Sequence, residues 1–143
     1  MVPFLKIDIS VFENRYFKFT VPEGSTVSAP EDEHLQLWDP SLNPTVDGQK
    51  IPYAEIALGR MDGDPQDVES DLKSMGFTQS RTIGGYPSMF SYDNINGEEG
   101  HYIIILGESK EQPGRTDTVE IMFDYGAVDK IDIVINSLVI KGF

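Results

Sequence analysis

The sequence predicts one α+β domain over residues 1–143, an antiparallel sheet with two main helices packed on it. Three observations lead there. Side-chain character alternates with period two in several separate stretches, the signature of half-buried strands. Two other segments carry apolar residues at helical spacing. A chain of 143 residues is also the size that one core supports.

The elements follow in order. Phe4–Ile9 and Tyr16–Val21 alternate and read as strands, with Asn14-Arg15 as the turn between them. Pro22-Glu23-Gly24-Ser25 ends this hairpin. Residues 28–50 read as irregular: an acidic, proline-containing loop (Ser28 to Glu33), a short apolar piece (Leu35 to Trp38), and two X-Pro steps, Asp39-Pro40 and Asn43-Pro44. A loop of that length inside a small domain is expected to be functional or mobile. Tyr53–Leu58 reads as a strand with Ile56 and Leu58 on one face.

The clearest helix starts at Asp64-Pro65. An aspartate at the N-cap accepts from free backbone N–H groups, and proline suits the first helical position because its missing donor is not needed there. Val68, Leu72 and Met75 form an apolar stripe, and Gly76 ends it. Thr82–Tyr92 follows as strand, with Gly84-Gly85 as a tight turn or bulge. That pair is not a phosphate loop, because no helix and no Lys-Ser/Thr follows it. Asn96-Gly97 marks a hairpin turn before the strand His101–Leu106, and Thr118–Phe123 is a further strand. The last segment, 128–139, fits two periods. Val128, Ile131, Val134, Ile135 and Leu138 lie at helical spacing, while Ile131, Ile133 and Ile135 alternate. Helix is preferred, because Asp129 and Asp132 come early and Lys141 late, as the helix dipole favours.

Charge is the strongest compositional signal: 24 acidic against 11 basic residues, net −13. Such a field repels phosphate backbones and anionic lipid surfaces and attracts basic protein surfaces. Direct nucleic-acid and membrane binding are therefore not expected. The absence of cysteine excludes disulfides, thiolate metal sites and a cysteine nucleophile. No apolar run approaches the roughly 20 residues that span a bilayer. The first residues show no signal-peptide pattern, which makes a cytoplasmic location the default expectation.

Candidate chemistry is sparse. The acid-rich run Asp62–Asp71 invites a calcium-loop reading, but the positions that need Gly and Glu hold Asp67 and Lys73. The Asp93–Glu99 run is explained by its hairpin. His34 and His101 are the two histidines, and neither sits in a metalloprotease or nucleophile-elbow motif. No catalytic residue, metal or cofactor is expected. Trp38 and Tyr53 are candidate aromatic anchors, and Glu31, Asp32, Glu33 and Asp39 the acids around them; these six are the expected partner-binding residues.

Phe17-x-Phe19-x-Val21-Pro22, then Ile83-Gly84-Gly85-Tyr86-Pro87 before a hairpin, and an Ile133 or Ile135 ahead of Ser137-Leu138 together resemble the PsbP-like family. Its members include a photosystem extrinsic subunit, a Ran-binding import factor and chaperones of type VI secretion effectors. The resemblance implies an α/β/α sandwich around an antiparallel sheet and a binding module rather than an enzyme. Residues 28–50 depart from the pattern. The expected function is a non-enzymatic protein-binding module (chaperone, adaptor or immunity-type inhibitor) whose acidic surface meets a basic protein partner. The alternatives are an anionic nucleic-acid mimic and a small hydrolase using His34 or His101.

Overall fold

The computed structural model describes residues 10–42, 45–46, 48–94 and 98–142. The expected strand Phe4–Ile9, the Asn43-Pro44 step and the Asn96-Gly97 turn lie outside the described residues. In chain order the elements are β1 (Val11–Glu13), β2 (Phe17–Thr20), β3 (Thr26–Glu31), β4 (His34–Trp38), β5 (Thr45–Val46), β6 (Gln49–Lys50) and β7 (Ala54–Asp62). Then come α1 (Pro65–Ser74), β8 (Thr78–Ile83), β9 (Tyr86–Asp93), β10 (Glu99–Glu108), β11 (Arg115–Asp124), α2 (Val128–Ser137) and β12 (Val139–Ile140).

A seven-stranded antiparallel sheet in the order β3-β4-β7-β11-β10-β9-β8 forms the frame. A second sheet, β1-β2-β12, packs Phe17 and Phe19 into the same core. This arrangement is α+β, mostly antiparallel strand with two helices.

Period two divides the large sheet. On one face Leu35, Leu37, Ala54, Ile56, Ile104, Val119, Ile121 and Phe123 meet Ile131, Val134 and Ile135 of α2. The interleaved residues Ile103, Ile105 and Met89 join a separate cluster with Val68 and Leu72 of α1 and with Phe77. Neighbours on a strand point to opposite faces, so the two helices pack on opposite sides of the sheet.

Local chemistry explains the boundaries. Asp64 caps α1 through a reciprocal box with Asp67, its carboxylate accepting from the Asp67 N–H at 2.9 Å. The Gly84-Gly85 pair is a two-residue hairpin turn between β8 and β9, with φ of +61° and +90°. Only glycine takes both values without a Cβ penalty. The turn makes the Gly-Gly segment the corner of two strands, and Thr78–Ile83 an edge strand that its polar sequence did not announce. The final segment is helical as far as Ser137, its apolar stripe buried.

The expectation of irregular structure over residues 28–50 is corrected for its first half. Thr26–Glu31 and His34–Trp38 form a hairpin that adds two strands to the large sheet. Leu35 and Leu37 are buried at alternate positions, and that burial outweighs the local turn signals. Pro30 is accommodated because β3 is an edge strand and the pairing is irregular between Ser28 and Glu31.

Candidate functional site

Leu35 and Leu37 turn into the α2-side core, so His34, Gln36 and Trp38 stand on the other face of β4. The same alternation puts Glu55, Ala57 and Gly59 of β7 and Glu120 and Met122 of β11 on that face. Toward the β8 edge, α1 covers this face. Toward the β3 edge the side chains stay partly open, with His34 38%, Glu55 33%, Glu120 34% and His101 28% exposed.

A directed chain of hydrogen bonds crosses the open half. The Trp38 indole N–H donates to Ser28 Oγ at 2.9 Å, the Ser28 hydroxyl donates to Gln36 Oε1 at 3.2 Å, and Gln36 Nε2 donates to Glu55 Oε1 at 3.3 Å. Each donor points toward the Glu55 carboxylate, which His34 Nε2 also approaches at 3.5 Å. Three strands thus hold one carboxylate in a fixed orientation, because each bond fixes a rotamer of the next residue. One strand further, His101 Nε2 lies 3.7 Å from Glu120 Oε2, an ion-pair distance longer than a hydrogen bond. The neighbouring His101 imidazole holds that carboxyl below its usual range. The Phe77 ring meets the His101 ring edge-on at 5.2 Å and closes the α1 side of the array.

The positions on this half-face, Thr26, Ser28, His34, Gln36, Trp38, Glu55, Ala57, Gly59, Glu120 and Met122, include neither Lys nor Arg. At its edge the β3–β4 turn displays exposed Glu31, Asp32 and Glu33. The surface carries the Glu55 and Glu120 carboxylates, with the Trp38 indole at its margin. Among the described residues no Ser or Thr hydroxyl hydrogen-bonds either imidazole, and no cluster of three or more metal-ligating side chains forms.

Three of the six residues expected to bind a partner border this surface: Glu31, Asp32 and Trp38. Glu33, adjacent to His34 and so turned to the opposite face, lines the cleft on the other side of the sheet with Arg15 and Arg60. Tyr53 and Asp39 are used by the fold. Tyr53 is 1% exposed, and its hydroxyl shares a 2.7 Å hydrogen bond with Ser25 Oγ. Burial pushes its phenol above the ordinary value. Asp39, 4% exposed, pairs with Lys130 of α2 at 2.9 Å and accepts from the Ser41 N–H and hydroxyl. The Lys130 bond and the Ser41 donors bring its pKa down to about 2. Lys130 also donates to the Glu23 carbonyl, so the trio clamps α2 to the loop before β3 and the end of β4. Sequence reasoning missed Gln36, Glu55 and Glu120. The signal lay in single polar residues between buried ones, as in Ala54-Glu55-Ile56 and Val119-Glu120-Ile121.

A cleft of about 610 Å³ opens on the other side of the sheet, between the β1–β2 turn and the β10–β11 loop. Arg60 is fixed in it by Asp117 at 2.7 Å and Glu111 at 3.3 Å, with Leu58 and Leu106 among the lining residues. Its lining mixes both charge signs, and its arginine is already neutralised.

No helix among the described residues is long and apolar enough to cross a membrane. No family model matches the chain, and no curated protein matches it in sequence. Two solved structures are similar in fold. LpqN, involved in cell envelope biogenesis of Mycobacterium tuberculosis, is 14% identical at a TM-score of 0.53, over 96% of this chain and 88% of that one. A protein from Bacteroides thetaiotaomicron VPI-5482 is 11% identical at a TM-score of 0.51, over 88% of this chain but 45% of its own length. The chain therefore spans less than half of that second protein. At such identities the similarity carries the fold alone.

Proposed function

We propose that the chain is a non-enzymatic protein-binding module of PsbP-like architecture, whose open acidic half-sheet receives a basic protein surface. The observation that carries this reading is the half-face itself. Glu55 and Glu120 stand among positions that hold neither Lys nor Arg, next to exposed Glu31 and Asp32 and the Trp38 ring. Preorganised carboxylates lose little side-chain entropy when a Lys or Arg arrives, and an indole at the margin supplies apolar area and a face for a cation. The net charge of −13 steers such a partner from a distance. A helix on each side of the sheet supports the sandwich architecture.

The test is affinity capture from an extract of the native host, with wild-type protein and an Asp32→Lys/Glu33→Lys variant side by side. Association kinetics of the retained protein are then measured at low and high salt. The variant is expected to associate about tenfold more slowly and with a flatter salt dependence, because steering charge has been reversed. Identical kinetics for the two proteins would remove the acidic edge from the binding reading.

A further inference from the structure

The chain has two histidines and no cysteine, and both histidines lie on the same open half-face. Imidazole is the side chain whose charge ordinarily changes between about pH 5 and 8. Both imidazoles thus stand on the surface that carries Glu55 and Glu120, each beside one of those two carboxylates.

The surroundings of each imidazole set the sign. His34 faces Glu55 from β7 at 3.5 Å and pairs in register with Glu31 of β3, while its chain neighbour Glu33 turns to the cleft on the other side of the sheet that Arg15 and Arg60 also line. Ala57 is its register partner on β7. His101 faces Glu120 from β11 at 3.7 Å, with Met122 and Ser91 as register partners on β11 and β9 and Phe77 against its ring. On the half-face, every charged group in these two sets is a carboxylate. A proton gained by either imidazole therefore neutralises an adjacent acid from within the protein, and a cation from outside then meets a weaker field.

We propose that the two His–Glu pairs make the half-face a pH-gated docking surface, open to a basic partner near neutral pH and closed by histidine protonation on acidification. The gate rests on the docking reading above and adds its regulation. In the acidified state His34 and His101 occupy Glu55 and Glu120 as internal counter-ions. Near neutrality those carboxylates are left to the partner.

A fluorescent deca-lysine peptide, whose own charge is constant over the range, is the probe. Its affinity is measured at neutral pH and at pH about 5.5 for wild type, His34→Gln/His101→Gln and Glu55→Gln/Glu120→Gln. A Glu69→Gln/Asp71→Asn variant on α1 serves as the control of equal charge change. Far-UV circular dichroism checks the fold of each. Wild type is expected to weaken about tenfold on acidification, and the histidine variant less than twofold. A histidine variant that weakens as much as wild type overturns the gate while leaving docking standing. A Glu55→Gln/Glu120→Gln variant that binds at neutral pH no more weakly than the α1 control overturns the docking reading, and the gate with it.

Discussion

The two halves of the α1-side face belong to one sheet and obey one alternation, yet they are different materials. Toward the β8 edge, Met89, Ile103 and Ile105 are buried under Val68, Leu72 and Phe77. Toward the β3 edge the equivalent positions hold Ser28, His34, Gln36, Glu55 and Glu120, joined by hydrogen bonds and ion-pair contacts and partly open to water. One ten-residue helix accounts for the difference. Where α1 lies, a carboxylate would lose its hydration without compensation, so the positions are apolar. Where no helix of the described residues lies over the strands, polar residues are tolerated at low cost. The covered half serves stability, and the open half is free to carry polar side chains.

The comparison is broken most forcefully in the covered half. Leu72→Ala removes a fully buried side chain from the small α1 cluster and is expected to cost about 2–5 kcal/mol in denaturant unfolding. A cost under about 1 kcal/mol would mean that α1 contributes little to the covered half.

The acids sharpen the contrast at the next level. Asp39 is an acid that the fold itself uses, and its pKa of about 2 lies below the roughly 3.9 of an unfolded chain. A depressed carboxyl contributes stability that is present above the unfolded value and is lost as pH falls through the folded one. Wild-type stability should therefore decline between about pH 4 and pH 2, and Asp39→Asn should flatten that decline while lowering stability at neutral pH. Thermal melts across the acid range measure both effects. A variant with the wild-type acid profile would show that the Lys130 clamp does not govern it.

The smallest expected effect belongs to the open half. Glu55→Gln keeps the shape and one acceptor oxygen of a half-exposed side chain, so its unfolding free energy should stay within about 0.5 kcal/mol of wild type. A larger loss would show that the Trp38–Ser28–Gln36–Glu55 chain supports the fold, and the division of labour between the two halves would fail.

Much of this was legible in residue order. Asp64-Pro65 announced α1, the 128–138 stripe announced α2, and Gly84-Gly85 announced a corner. Each is a short-range effect: a cap, a periodicity or a backbone angle. The β3–β4 hairpin was not legible, because Pro30 and three consecutive acids resemble a loop until an adjacent β7 supplies the pairing that makes a strand. Asp39 and Tyr53 were expected at a partner surface for a similar reason. An acid beside a tryptophan and a tyrosine with a strand are equally compatible with an interface and an interior, and only Lys130, 91 positions away in sequence, decides for Asp39.

The sequence by itself determined the α+β class, the two helices, the acidic character and the alternation that sorts residues between faces, since all of these depend on neighbours a few positions apart. The tertiary structure alone decided which stretch of a face α1 covers, and that His34, Glu55, Glu120 and His101 share the uncovered stretch. Those residues come from four strands, and antiparallel register, a long-range property, is what sets them side by side.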